Sequence, residues 1–390
     1  MTQCTDADTI IVSNYGVGGS SLYLRQFAAA LRRNGFPVTF YVPKGTDMGD
    51  ADDAVCRYAL REPSTHPPFL KTKILKYGYH LAKYLYNAVV FRPGREVRVV
   101  HMLFPFYLTD FLVVNRLKRE GKKVVLTVHE VFPHVPFLGG RTDRNMVQKM
   151  YEKADLLLAH TRSLKKELVE LFSLSPDKIS VVPHGSFALP QSPRAVAALR
   201  ENYRVPRDRK VLLFFGSIRE NKGLDVLLGA MRGLTQDYFL VIAGETAGAS
   251  EIPAGHYRDL IEQYRIADSV GWTEKYISDD EAAEFLKMAD AVVLPYKRSF
   301  HAQSGVLNLA AGLDRPCVVS DVGGLRELVD EYRLGVVVPP EDTDALREGI
   351  ITLFEDRNSA SYGFQKYRDD NNWDRAAEKY VEIYRRLLNE

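Results

Sequence analysis

The chain is 390 residues long, 46% hydrophobic and 26% charged, with a formal net charge of +2. It is too apolar for a disordered segment and too long for one ordinary core, so two domains are expected. Charges of both signs are spread along the chain, which excludes the global basic excess of a nucleic-acid binder; no nucleic acid is expected as a partner. Cys4, Cys56 and Cys317 are odd in number and far apart, without CxxC or Cys/His ligand spacing, which excludes a disulfide framework and structural zinc. The first thirty residues carry Asp6 and Asp8 ahead of a short apolar run, unlike a secretory leader. No stretch approaches about eighteen uninterrupted apolar residues. A cytoplasmic protein that does not span a membrane is the expectation.

Taken in chain order, the first apolar run is "TIIVS". It is followed by a glycine-rich turn, "SNYGVGGSS" from Ser13 to Ser21, and by the helical pattern "LYLRQFAAALRRNG". A dinucleotide site would need GxGxxG here and an acidic residue at the end of the next strand. Gly16 and Gly18 fit, but the third position is Ser21 and the next run, "VTFYV", ends in Pro43 and Lys44. Gly18 and Gly19 remain, ahead of a helix whose free N–H groups favour an anion or a hydroxyl-rich ligand; a tight turn alone would use them equally well. Pro67 to Arg95 then holds Lys71, Lys73, Lys76, Lys83, Arg92 and Arg95 with no Asp or Glu. Plotted as a helix, Leu70, Ile74, Tyr77, Leu81, Leu85 and Ala88 make one stripe and Lys73, Lys76, His80, Lys83 and Asn87 another. The expectation is an apolar face turned inward and a basic face turned to water or to an anionic membrane surface.

The runs "VRVVHM", "VVLTVH", "LLLAH" and "ISVVP" complete the first half, with His129 and Glu130 at the end of the second of them. Pro190, Pro193 and Pro206 interrupt the stretch Ser186 to Lys210, which reads as an interdomain connection. The expected boundaries are 1–188, a linker at 189–209, 210–372, and a C-terminal helix at 373–390 that crosses back to the first domain. In the second half "VLLFFG", "FLVIAG", "SVGW", "AVVLP", "CVVS" and "GVVVP" again alternate with helical patterns. Runs nearly continuous in Val, Ile and Leu belong to parallel strands covered on both faces. The fold class is therefore α/β, with two doubly wound Rossmann-like domains facing a central cleft and ligands at the carboxyl ends of the strands. The last pattern, "NWDRAAEKYVEIYRRLL", aligns Ala377, Tyr380, Ile383, Tyr384 and Leu387 along one stripe.

The stretch "LLFFGSIRENKGLDVLLGAM" places Gly216, Arg219 and Lys222 between a strand and a helix. It resembles the strand, Gly, Arg, Lys-Gly, helix signature of GT-B glycosyltransferases of family GT4. "TVHE" at Thr127, "VVPHG" at Val181, "VIAGE" at Val241, "MADAVVLPY" at Met288 and "VVSDVGGLREL" at Val318 follow in the family's order. "VHEVFPH" is similar to members that build bacterial surface polysaccharides.

The resemblance implies transfer of a sugar from a nucleoside diphosphate, UDP foremost, to an acceptor hydroxyl with retained configuration. No metal and no cofactor are implied, and the acceptor would be a carbohydrate or a lipid-linked one. Arg219 and Lys222 would meet the diphosphate, a forked cation beside a point charge. His129 would reach the transferred sugar. Ser304, Gly305 and Val306, in "HAQSGVLNLAAG", could open a helix whose N–H groups cradle the phosphates. Many members carry two glutamates eight apart at this turn, where this chain has Ala302 and Ala310; His301, Gln303 or Asn308 would take over those tasks, or the donor would be bound differently. Glu245, Trp272 and Thr273 fall where the family holds the base. The residues leave open a phosphorylase or epimerase on the same architecture, and a nucleotide-binding protein with weak catalysis.

Overall fold

The computed structural model describes residues 8–49, 56–63, 73–132, 139–246, 252–355 and 362–390. The chain divides into two compact units, Met1–Gly185 together with Asn371–Glu390, and Ser186–Asp370.

The first unit is built on strands β1 (Thr9–Val12), β2 (Thr39–Pro43), β3 (Cys56–Leu60), β4 (Val99–Met102), β5 (Lys123–Val128), β6 (Leu156–Ala159) and β7 (Ile179–Val181). They form one sheet in the order β3-β2-β1-β4-β5-β6-β7, with each strand parallel to its neighbours. Parallel neighbours need crossovers, supplied here by α1 (Gly19–Arg33), α2 (Lys73–Val90), α3 (Tyr107–Arg119), α4 (Gly140–Lys153) and α5 (Arg162–Phe172). The central strands are buried along their whole length, which is why their sequences show no polar alternation.

The second unit opens with α6 (Val196–Asn202), inside the stretch expected as a linker, and α6 packs on α9 (Asp279–Met288). Its strands are β8 (Lys210–Phe215), β9 (Tyr238–Ala243), β10 (Val270–Thr273), β11 (Ala291–Leu294), β12 (Cys317–Ser320) and β13 (Gly335–Val338). The order is β10-β9-β8-β11-β12-β13. The remaining helices are α7 (Leu224–Met231), α8 (Ala254–Gln263), α10 (Gly305–Gly312), α11 (Leu325–Tyr332), α12 (Thr343–Glu355) and α13 (Phe364–Asp370). The final helix, α14 (Trp373–Asn389), belongs to the first unit, with Ala377, Tyr380, Ile383, Tyr384 and Leu387 all buried. In each sheet the winding reverses once, between β1 and β4 and between β8 and β11. Loops leaving such a switch point diverge and open a crevice, so these are the places to look for ligands.

Helix α2 departs from its expected faces: Leu85 turns outward while Lys83 and Asn87 turn inward, and Lys76, Tyr77, His80, Leu81 and Ala88 are half-buried. From Leu75 onward its exposed positions are Leu75, Gly78, Ala82, Leu85, Tyr86 and Val89, whereas Lys83 and Asn87 are buried. Lys83 Nζ donates to the Glu62 carbonyl at 2.7 Å. Asn87 accepts from the Arg61 N–H at 2.7 Å and donates to the Arg61 carbonyl at 2.9 Å and to Asn14 Oδ1 at 3.1 Å. The polar side chains are drawn inward because the backbone leaving β3 offers them partners, and an unpaired buried amide or carbonyl costs more than an exposed leucine. Leu70 and Lys71 lie outside the described residues, as do the side chains of Lys73 and Ile74. Among the described residues no helix is long and apolar enough to cross a membrane.

Candidate functional site

At the switch point of the second unit, β8 runs into Gly216, whose φ of 95° suits glycine. A Cβ there would stand 3.4 Å from Lys222 Nζ and 3.6 Å from Val306 Cγ2, so the backbone of Gly216, the ammonium and the start of α10 converge. Arg219 caps a single 3₁₀ turn, Glu220–Lys222, that ends on Gly223. Gly223 has a φ of 67° and approaches Pro295 so closely that a Cβ would fall 1.9 Å from its carbonyl oxygen. That approach sets Lys222 against the loop leaving β11: Nζ lies 5.7 Å from the ring centre of buried Tyr296. The Tyr296 hydroxyl is 3.2 Å from Ser304 Oγ. Ser304 is the N-cap of α10 and accepts the Leu307 N–H at 3.3 Å.

Burial and the neighbouring Arg219 guanidinium push Lys222 down to about 7. No carboxylate forms an ion pair with Lys222 or exposed Arg219 among the described residues. Two cations held together without an anion, beside a helix start, make a site that a diphosphate would complete.

The other expected donor residues are distributed around this centre. Glu245, exposed, follows β9, and its carbonyl accepts the Ile218 N–H at 2.8 Å. Gly244 crosses so near Gly216 that a Cβ would stand 2.1 Å from the Gly216 oxygen. Trp272 Nε1 donates to the Gly244 carbonyl at 3.1 Å, and the Thr273 carbonyl accepts the Gly244 N–H at 3.1 Å; both therefore brace the β9 loop. The Trp272 ring lies beneath Arg258 of α8, 4.8 Å from its guanidinium carbon. His301 is exposed, and Gln303 Oε1 is enclosed without a hydrogen-bond partner among the described residues. Asn308 is turned into the unit: it donates to the Ser304 carbonyl at 3.1 Å and accepts from the Tyr367 hydroxyl of α13. Ala302 and Ala310 are buried. Tyr296, which joins Lys222 to Ser304, carried no signal in the sequence beyond closing the "VVLPY" run.

At the switch point of the first unit, the Glu62 carboxylate accepts the Gly16 N–H at 2.6 Å, so that donor is already committed. Gly18 caps α1 with a φ of 60° and accepts from Ser21 and Leu22, while Gly19 faces open space. The loops after β1 and β4 bring together Tyr15 and Phe104, edge to face at 6.1 Å, and Phe104 stacks on His129 at 4.3 Å. His129 opens a buried imidazole cluster. Its ring centre is 4.9 Å from that of His160, which is 5.0 Å from that of His184, and Tyr23 touches all three. His101 is held between the Tyr384 hydroxyl at 2.6 Å and Thr127 Oγ1 at 2.7 Å. Burial holds His101 and His184 at about 3 and His160 at about 4. Enclosure and the adjacent imidazoles keep His129 neutral as well, its Nε2 without a hydrogen-bond partner among the described residues. Among those residues no group of three or more His, Cys, Asp or Glu is arranged to hold a metal ion.

Two doubly wound parallel units with these strand-end loops define an α/β glycosyltransferase of the GT-B type. Residues 17–186 match Glycosyltransferase Family 4 and residues 196–378 match Glycosyl transferases group 1, and the chain belongs to the GT4-like glycosyltransferases. An uncharacterized glycosyltransferase of Methanocaldococcus jannaschii is 26% identical over 399 aligned positions, covering 95% of this chain and 94% of the relative. Among solved structures, sucrose-phosphate synthase of Thermosynechococcus elongatus superposes with a TM-score of 0.73 at 20% identity, over 98% of this chain and 99% of that one. HepE of Anabaena, in complex with UDP and glucose, gives 0.73 at 15% identity over 96% and 99%.

Proposed function

We propose that this glycosyltransferase moves a sugar from a UDP-sugar to an acceptor hydroxyl with retention of anomeric configuration and without a metal ion. The observation that carries the reading is the Arg219–Lys222 couple, without an ion-paired carboxylate among the described residues, with Lys222 beside Gly216 and the start of α10. As the anomeric carbon–oxygen bond breaks, negative charge grows on the departing diphosphate. Arg219, Lys222 and the N–H groups of Gly305 and Val306 stabilise it in this reading, a contribution felt most in the transition state. The acceptor oxygen bonds to the anomeric carbon on the face the phosphate leaves, and the phosphate oxygen takes the acceptor proton. His129, neutral, keeps the role that the resemblance implies, a hydrogen bond to the transferred sugar. Glu245, Trp272 and Thr273 are assigned to the base and His301 and Gln303 to the ribose and sugar; Asn308, satisfied inside the unit, supports the turn instead. The choice of UDP draws on HepE, which was solved with that nucleotide. The acceptor is proposed to be a carbohydrate or a lipid-linked polysaccharide precursor, reached by peripheral contact with a membrane through the segment ending at Arg95.

A thermal-shift screen across nucleoside diphosphates and their sugars tests the donor assignment, since a ligand bound only by the native state raises its stability. UDP and one UDP-sugar should raise the melting temperature, and EDTA should leave both the shift and turnover unchanged. Product NMR should show the donor's anomeric configuration retained. No response to any nucleotide, or turnover that returns only on adding Mg²⁺, would refute the reading.

A further inference from the structure

We propose that the outer face of helix α2 is a docking surface for an anionic lipid bilayer, inserting apolar side chains between headgroups rather than laying a lysine face upon them. This specifies the membrane contact proposed above and would hold whichever sugar is transferred. All six positions that α2 exposes from Leu75 to Val90, namely Leu75, Gly78, Ala82, Leu85, Tyr86 and Val89, are without charge. They recur at intervals of three and four and so form one stripe along the helix. Leu75, Leu85 and Val89 are 54%, 45% and 63% exposed. Helix α3 packs alongside α2: Phe106, its N-cap, stacks on Tyr84, and Arg116 donates to the carbonyls of Ala88 and Phe91. Leu112, one turn before Arg116, is 58% exposed and widens the stripe. A soluble surface does not need this arrangement, because the same helix buries Lys83 and Asn87.

The rim decides the occupant. Arg61 is exposed and lies over the Tyr86 ring, 4.4 Å from its centre. Exposed Arg92 and exposed Arg95 follow the end of the helix, and Lys76 lies in its first turn. The acidic residues beside them are Glu96, next to Arg95, buried Glu62, next to Arg61, and Glu120, 3.8 Å from Arg116. Apolar side chains framed by arginines match acyl chains beneath anionic headgroups, where each signal alone is weak and the two together are sufficient. A second copy of the chain would present the same arginines to each other and is disfavoured by that repulsion.

The test is sedimentation of the full chain with vesicles of phosphatidylcholine alone and of phosphatidylcholine mixed with phosphatidylglycerol. The protein should pellet with the mixed vesicles and stay in solution with the neutral ones. Binding should weaken several-fold as salt rises, since screening shortens the reach of the arginines. Leu85→Gln with Val89→Gln should lower vesicle binding by about tenfold, as should Arg92→Gln with Arg95→Gln. UDP-induced thermal shifts should be the same in all variants, so failure at the membrane is separable from failure of the donor reading. Wild-type protein that stays in solution with both vesicle types, or a Leu85/Val89 variant that pellets like wild type, overturns the proposal. So does a lipid-free dimer that the same variant converts to monomer, for then a second copy covers the face.

Discussion

Lys222 and Arg219 carry the sharpest predictions at the scale of single residues. Arg219→Ala and Lys222→Ala should each lower kcat/KM by about 10²–10³, the loss expected on removing a charge contact made in the transition state. Lys222 loses its proton near pH 7 in the free protein, and a bound diphosphate would hold that proton. Affinity for a UDP-sugar should therefore be full below pH 7 and weaken by up to about tenfold per pH unit above it. Titration calorimetry at several pH values checks this, and Lys222→Arg should flatten the dependence because arginine stays charged. Affinity for the UDP-sugar that is unchanged from pH 6.5 to 9 in the wild type would contradict the assignment. The sequence made Gly216, Arg219 and Lys222 legible because a strand, a short polar turn and a helix follow each other without a gap. Tyr296 and Asn308 were not legible in their roles. The partners that define them, Ser304 for one and Tyr367 for the other, are set by how α10 packs on its neighbours.

Among the secondary-structure elements, the twelve strands read from apolar runs include fully buried ones, such as β1, β4, β6, β9, β11 and β12, and also the part-buried edges β7, β10 and β13, whose runs are still rich in Val and Ile or aromatic residues. Strand β3, "CRYAL", was missed: it is an edge of its sheet, only partly buried, and its second residue, Arg57, interrupts the apolar run that marks the other strands. Helix α2 failed differently. Its length and period were legible, but assigning polar residues to water ignored the backbone of Arg61 and Glu62, which no local pattern announces. Helix α14 obeyed its pattern, and its Tyr384 additionally satisfies buried His101. Tyr384→Phe should therefore cost about 1–3 kcal/mol in denaturant unfolding by leaving an imidazole nitrogen unpaired. A double-mutant cycle pairing Tyr384→Phe with Thr127→Val, on the other side of His101, should be non-additive; additive losses would show the two hydroxyls to be energetically independent.

For the whole molecule, each unit has its own core and its own titratable peculiarity. Three buried histidines, His101, His160 and His184, and half-buried His129 are neutral in the first unit, whereas unfolded histidine titrates near 6.5. Between about pH 6.5 and 4 the unfolded state binds protons that the folded state refuses, so stability falls as pH falls, by up to about 1.4 kcal/mol per pH unit for each imidazole. Nucleotide should act on the other unit, adding about 2.7 kcal/mol at a hundred times its Kd. Each unit holds one of the chain's two tryptophans, Trp373 in the first and Trp272 in the second, so single-tryptophan variants can read the two effects apart. Acidification from pH 7 to 5 should lower the melting temperature reported by Trp373, and UDP should raise the one reported by Trp272. Equal responses of both reporters to both treatments would show that the units melt together. The first unit is also split in sequence, with Ser186–Asp370 inserted between its body and α14. On the ribosome the inserted unit is complete before the surrounding one. Tyr23 and His101 wait, without Tyr380 and Tyr384, until α14 has been made. The early-synthesised half is thus the later to close, and premature termination within the codons for α14 would strike the amino-terminal unit while leaving the inserted one intact.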